Sequence, residues 1–339
     1  MSIKKYDESR KKDFHKKLVI CGVIFLIGIA LGVGMFCFLS PDEEKETIST
    51  MDTIDKRDIV EIGGVKCVPK EDVETYLFLG VDQRGELTKV KKFDGTGQCD
   101  VIQLLVLDNT NKTYSKLVIN RDTMVDMTTY NEKGQSLGEV NAQIALAHTN
   151  GDVADFGNKV TIETVSKLLC NQPIDGYVSL NMDSIPVINN LAGGVTVTIE
   201  DDFSASDKSL KKGETVKLSD EQAYHYVHDR QNVADGTNVN RMKRQTMYLS
   251  NLKDILLGKF KENGSFINQA YDSLEKYMST DLTPRMMSRI ALNLTKYEEV
   301  NAPVLTGKNS MGEFGFIEFR LDQSSLDKAV RELFYDEIK

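Results

Sequence analysis

The stretch "DVIQLLVLDNTNKTYSKLVINRD" occupies residues 100–122. Two apolar runs, 100–108 and 114–122, flank the turn-forming "NTNK". Runs of this length bounded by turn residues predict two buried strands joined as a hairpin. An earlier run, "YLFLGVD" (76–82), predicts a third buried strand. Charge collects at the ends of all three: Asp82 closes the first, Asp100 opens the second, and Arg121 with Asp122 closes the third. In an open α/β sheet, strand ends face the binding crevice. Carboxylates gathered there suit Mg²⁺, which takes oxygen ligands and shares them with substrate phosphates.

Moving outward, "VNAQIALAH" (140–148) and "NKVTIETVSKLL" (158–169) predict helices, the second with Val160, Val165, Leu168 and Leu169 near one face. In "MDSIPVINNLAGG" a helix starts near Asp183 and ends at Gly193 or Gly194, since glycine suits the left-handed C-cap; the strand "VTVTIE" follows. Strands and helices alternating at this spacing predict an α/β fold, a layered α-β-α domain with a central mixed sheet, over residues 73–257. Residues 258–339 read as further helices and a strand packed on the same domain: "FINQAYDSLEKYM" and "TPRMMSRIALNLTKY" helical, "GEFGFIEF" a strand, and "QSSLDKAVRELFYDEI" a helix. Residues 40–72 are polar and read as an extracytoplasmic linker with one short element around "VKCVPK".

Residues 18–39, "LVICGVIFLIGIALGVGMFCFL", carry no charge over 22 positions. That is enough for a bilayer core, which needs about 20 apolar residues. The run exceeds a signal-peptide core and no A-x-A-like site follows it, so a retained transmembrane helix is expected. Seven basic and three acidic residues precede it, and Asp42, Glu43 and Glu44 follow. The positive-inside rule leaves residues 1–17 as a cytoplasmic tail and puts the rest of the chain outside the cell membrane. Without that tail, 35 Lys and Arg face 48 Asp and Glu, a net charge of −13. Such a surface repels nucleic acid. Cys67, Cys99 and Cys170 are the cysteines beyond the span, too few and too scattered for a disulfide framework or a zinc site.

Against this acidity, "YHYVHDRQNVADGTNVNRMKRQTMYL" (224–249) gathers Arg230, Arg241, Lys243 and Arg244. Ser219 and Gln222 have capping-box spacing for one helix, and a second starts near Asn238, with Met242, Leu249, Leu252 and Leu256 as its buried stripe. Arg241 and Gln245 are then neighbours on one face. Arg241 lies in the first turn, where free N–H groups and the helix dipole favour an anion. Facing Arg230 across the intervening loop, it suits a phosphate or diphosphate, whose oxygens guanidinium groups bind in bidentate fashion. Lys243 and Arg244 read as a solvated face, and His148 as a structural histidine at a helix end. There is no HExxH, GxSxG, P-loop or CxxC.

"FLGVDQRG", "GQCDVIQLLVLD", "INRDTMVDM", "VNAQIALAH", "PIDGYVSLNMDSIPVINNLAGGVTVTI" and "LSDEQAYHYVHDR…NRMKRQ" follow one another in the order seen in the LytR-CpsA-Psr family of Gram-positive bacteria. The resemblance covers roughly residues 73–257 and rests on order and spacing. It implies a Mg²⁺-dependent phosphotransferase in a Gram-positive type envelope. Such an enzyme moves a glycopolymer, such as a teichoic acid or capsular chain, from an undecaprenyl-diphosphate carrier to peptidoglycan, with the polyprenyl tail in an apolar tunnel between sheet and helices. Carried over by position, Asp82 and Asp100 are the metal carboxylates, and Arg121, Arg230, Arg241 and Gln245 grip the diphosphate. Asp122 or a metal-bound carboxylate takes the proton of the acceptor hydroxyl, while Arg121 and Arg230 stabilise the developing charge.

This chain departs from the family pattern at three places. Gln98 and His228 stand where arginines are usual, and "NRDT" replaces "PRDT". His228 reads as a helix-end histidine of no special role. The loss of two cations leaves alternative readings: a polyprenyl-lipid binding or scaffold protein without turnover, or a pyrophosphatase acting on the carrier lipid.

Overall fold

The computed structural model describes residues 59–87, 97–131, 133–150, 154–229, 233, 238–263, 266–313 and 315–338. The tail at 1–17, the apolar run at 18–39, the linker up to residue 58, and Arg230 lie outside the described residues. Among the described residues, no helix is long and apolar enough to cross a membrane.

The hairpin expected at residues 100–122 lies at the centre of the fold. Strand β4 (Cys99–Asp108) pairs antiparallel with β5 (Thr113–Ile119) and, on its other side, with β3 (Val73–Val81). Beyond β3 come β8 (Gly176–Asn181), parallel to it, and β11 (Met278–Thr280), antiparallel to β8. A short β12 (Glu298–Glu299) lies parallel to β5 at the other edge. The sheet is therefore mixed, in the order β11-β8-β3-β4-β5-β12.

Helices pack on both of its faces. Leu77, Leu79, Ile102, Leu104, Leu117 and Ile119 fill one face, packing with Val160 and Val165 of α1 (Ala154–Leu168) and with Ala329, Val330 and Leu333 of α7 (Gln323–Phe334). Burying a side chain of this size contributes roughly 1.5–3 kcal/mol. Tyr76, Leu107, Val178 and Leu180 point to the opposite face. There they meet α2 (Ser184–Ala192), α3 (Asp220–His228), α4 (Asn238–Glu262), α5 (Phe266–Leu274) and α6 (Pro284–Leu294). α2 stops where its sequence predicts: Gly193 adopts the left-handed conformation at φ 78°, and its N–H closes on Asn189 and Asn190. Phe266, Ala270, Met287 and Ile290 belong to the same core as Leu252 and Leu256 of α4.

Two local readings are corrected. "VNAQIALAH" is not an α-helix: Val140 lies in β7 (Ser136–Gln143), which forms a hairpin with β6 (Met124–Tyr130), and residues Ile144–Thr149 form a 3₁₀ turn. β7 is largely exposed, so its side chains carry no alternating signal of burial. The linker also ends earlier than expected. β1 (Val60–Ile62) and β2 (Val65–Pro69) form a hairpin, and β2 also pairs with β15 (Tyr335–Glu337), which follows α7.

Candidate active site

The β3–β4 pairing runs regularly from Val73 opposite Asp108 to Gly80 opposite Val101, then jumps to Val81 opposite Cys99. Asp100 is the extra residue of this β-bulge. Cys99 and Ile102 are both buried on the α1 face, with two residues between them where a regular strand has one. Asp100 and Val101 therefore both project toward the α3–α4 face, as a bulge re-aims side chains. Pairing continues past the bulge, with Asp82 N–H donating to the Gln98 carbonyl (2.8 Å) and Gly97 N–H to the Asp82 carbonyl (3.0 Å). Asp82 and Asp100 thus stand on neighbouring strand ends.

Arg121 follows the end of β5. Its Nη1 donates to Oδ1 of Asp100 and its Nη2 to Oε1 of Gln98 (2.5 Å). Its own carbonyl accepts from Ala145 N–H at 3.1 Å, so the 3₁₀ turn fixes the backbone behind it. Gln98 is therefore more than a lost cation, because its amide oxygen anchors the arginine that remains. Burial pushes the Asp100 carboxyl up, and the charge of Asp82 adds to that; Arg121, Arg241 and His228 oppose it. Four charged or chargeable groups thus act on one carboxylate. Asp122 is also raised by burial, with Arg121 opposing, and its Oδ1 accepts from Nε2 of Gln143 at 3.3 Å.

The helix pair beside this strand end is held by its sequence. The Ser219 capping box is present: Gln222 N–H donates to Ser219 Oγ (3.2 Å) and Ser219 N–H to Gln222 Oε1 (2.9 Å). At the other end of α3, Gln245 donates Nε2 to the Val227 carbonyl at 2.9 Å, bracing the helix that precedes Arg230. Arg244 overturns its reading as a solvated residue. It is 3% exposed, donating Nε to the Tyr226 carbonyl (2.9 Å), Nη1 to Asp201 (2.5 Å) and Nη2 to the Asp229 carbonyl. The last carbonyls of a helix lack intrahelical partners, and a buried guanidinium supplies them here. Lys243 is exposed, as expected.

His228 has a defined setting. Nδ1 lies 3.1 Å from Asp229 Oδ1, and the ring stacks on Tyr224 with centroids 4.8 Å apart. The Arg84 guanidinium lies 4.7 Å from the centre of the same Tyr224 ring, with Nε 2.7 Å from Asp183. Asp229 also meets His225 Nδ1 at 2.9 Å and the Ser206 hydroxyl. Burial alone would raise its carboxyl, but these hydrogen bonds hold it below the ordinary range. Arg84 and Tyr224 escaped the sequence reading: Arg84 stands two residues after Asp82, but its aromatic partner is remote in sequence. His148 is structural, its ring buried between the Gly97 carbonyl (2.7 Å) and Asn158 (3.1 Å), and burial keeps it neutral more readily than usual. Among the described residues, no cluster of three or more His, Cys, Asp or Glu forms a metal site, so Asp82 and Asp100 stand as a pair. Cys67, Cys99 and Cys170 are free thiols.

The profile of the LytR_cpsA_psr family matches residues 39–334. The chain belongs to the LytR-CpsA-Psr family. A relative from Bacillus mycoides, the polyisoprenyl-teichoic acid--peptidoglycan teichoic acid transferase TagU, is 25% identical over 296 residues, covering 85% of this chain and 88% of the relative. Two solved family structures are each 25% identical over 78% of this chain. TagT bound to LI-WTA superposes with a TM-score of 0.55 over 90% of its length. The family protein YwtF (TagT) with bound octaprenyl pyrophosphate lipid does so with a TM-score of 0.51 over 89%. The LytR-CpsA-Psr match extends past residue 257 on the C-terminal side, taking in the elements that share the core.

Proposed function

We propose that this chain is a membrane-anchored, extracytoplasmic phosphotransferase that moves a glycopolymer from an undecaprenyl-diphosphate carrier to peptidoglycan. The observation that carries the reading is the convergence of Asp82, Arg121, Arg241 and His228 on Asp100, at the bulged end of a strand whose remaining length lines an apolar face. A charged strand end above an apolar face suits an amphiphile with a diphosphate head. The transferase relative and the lipid-bound structure of similar fold support the same ligand class. In this reading residues 18–39 anchor the chain in the cell membrane, and residues 1–17 stay in the cytoplasm.

Arg121, Arg230 and Arg241 grip the diphosphate, with Gln245 bracing the helix end behind Arg230. The acceptor hydroxyl attacks the sugar-linked phosphorus. A new P–O bond forms to peptidoglycan as the bond to the bridging oxygen breaks, and polyprenyl phosphate departs. Asp122 takes the hydroxyl proton; its elevated pKa makes it a stronger base than an ordinary surface carboxylate. The Arg121 guanidinium, held by Asp100 and Gln98 before the reaction, meets the charge that develops on the phosphoryl oxygens.

The donor chemistry at Asp82 and Asp100 fits Mg²⁺: two hard carboxylates, one of them destabilised in its charged form by burial and by the other. Asp82 and Asp100 would hold the ion, and a Mg²⁺ bound there would supply positive charge toward the phosphate oxygens.

The test supplies purified full-length protein in detergent with Mg²⁺, a polyprenyl-diphosphate glycan and peptidoglycan. A phosphodiester-linked adduct on peptidoglycan is the expected product. Free phosphorylated glycan without adduct makes the protein a pyrophosphatase, and lipid binding without either product makes it a carrier-lipid scaffold.

A further inference from the structure

Gln103 lies three residues along β4 from Asp100, about 10 Å at the usual strand rise. Regular alternation from Ile102 and Leu104, which face α1, puts Gln103 on the opposite face with Val101 and Leu105. That is the face toward which the bulge turns Asp100. Its cross-strand neighbours there are Phe78 on β3 and Val118 on β5, both apolar. Gln103 is 3% exposed, and its Nε2 has no hydrogen-bond partner among the described residues. Val118, directly beside it, is 48% exposed, so the helical layer leaves the sheet uncovered at this point.

An unpaired amide in such a place needs an explanation. A buried donor without a partner loses its hydration and gains nothing in return, and native structures hold few of them. Two conserved-volume alternatives, leucine and methionine, would fill the same space without that cost. We propose that Gln103 is a binding residue for the carrier lipid: its Nε2 donates to an oxygen of the phosphate attached to the isoprenoid chain, setting how deep the chain sits below Asp100. The inference rests on the lipid-diphosphate reading above and adds to it a residue outside the charged cluster. The apolar neighbours accept the first isoprene units, and the single donor among them recognises where the phosphate ends and the hydrocarbon begins.

The experiment uses the full-length protein in detergent, as wild type, Gln103→Leu and Gln103→Met. It measures binding of octaprenyl diphosphate and of uncharged octaprenol, and thermal unfolding without lipid. Both variants should unfold at higher temperature than wild type, since the unpaired donor is gone. Both should bind octaprenyl diphosphate about tenfold more weakly, the worth of one hydrogen bond of about 1.4 kcal/mol, and octaprenol no more weakly. Equal diphosphate affinity in wild type and variants overturns the proposal, as a bridging water would then suffice. A lower unfolding temperature with equal loss of both lipids also overturns it, assigning Gln103 a packing role. If wild type binds neither lipid, the lipid-carrier reading itself fails, an outcome distinct from the other two.

Discussion

Nη2 of Arg121 donates to the side-chain oxygen of Gln98 at 2.5 Å, while Nη1 of the same guanidinium holds Asp100. A neutral residue at position 98 thus orients the cation instead of adding one. Gln98→Ala should lower the transfer rate at saturating substrate about tenfold with little change in KM, because a reacting group loses orientation and not binding. Steady-state kinetics at varied lipid concentration checks this; an unchanged kcat would leave Gln98 without a role in the reaction.

His228 stacks on Tyr224, and a proton on its ring would act on the Asp100 carboxylate. Removing a buried donor from a charge-stabilising site typically costs 10²–10³ in rate. The His228 side chain is 37% exposed, so His228→Ala should cost less, on the order of tenfold by the same principle. His228→Arg supplies a permanent cation and should raise turnover above wild type. Rates for both variants at one pH decide it, and a slower arginine variant would count against the charge argument.

Mg²⁺ should raise the unfolding temperature of wild type and leave Asp100→Asn unmoved, since binding to the native state alone stabilises it. Without metal, the asparagine variant should be at least as stable as wild type, because burial and Asp82 already disfavour the ionised carboxyl. Thermal scans in EDTA and in Mg²⁺ give both comparisons.

Asp229 sets a pH dependence with a definite sign. Its folded pKa is depressed, so its contribution is present above the ordinary carboxylate value and lost as pH falls through the lower folded value. Asp229→Asn should therefore destabilise the protein at pH 7, and the gap to wild type should close below about pH 3.9. Denaturant midpoints across that range read the gap directly.

Arg244→Met should destabilise by about 3–5 kcal/mol, because it strips the partner from Asp201 and from the carbonyls of Tyr226 and Asp229. Lys243→Ala, one residue away, should stay within about 0.5 kcal/mol. Urea unfolding of the pair tests whether the two basic residues differ as their burial says.

That contrast shows where sequence reading stops. The hairpin at 100–122, the glycine stop after α2 and the Ser219 capping box are local: each signal lies within a few residues of the structure it makes. The convergence of Asp100 and Arg121 followed from placing charges at strand ends. The bulge was hidden, because an extra residue is extra only relative to a partner strand in a given register. Arg244 was misread for a related reason. Its position on α4 tells which way it points, but the carbonyls it serves belong to α3. Arg84 and Tyr224 meet through tertiary packing alone, and β7 gave a helical impression because almost none of it is buried.

The pairing of β2 with β15 has a consequence for the order of folding. Arg331 reaches back to the Ile62 carbonyl across 269 residues of sequence, and Tyr335 pairs with Pro69. During synthesis the first strands of the domain emerge with one edge unmatched, and the element that completes their sheet is among the last to appear. Long-range closures of this kind slow folding, since the loop must be closed before any contact rewards it. Until β15 arrives, the edge of β2 remains available to any other strand, its own counterpart in a neighbouring nascent chain included.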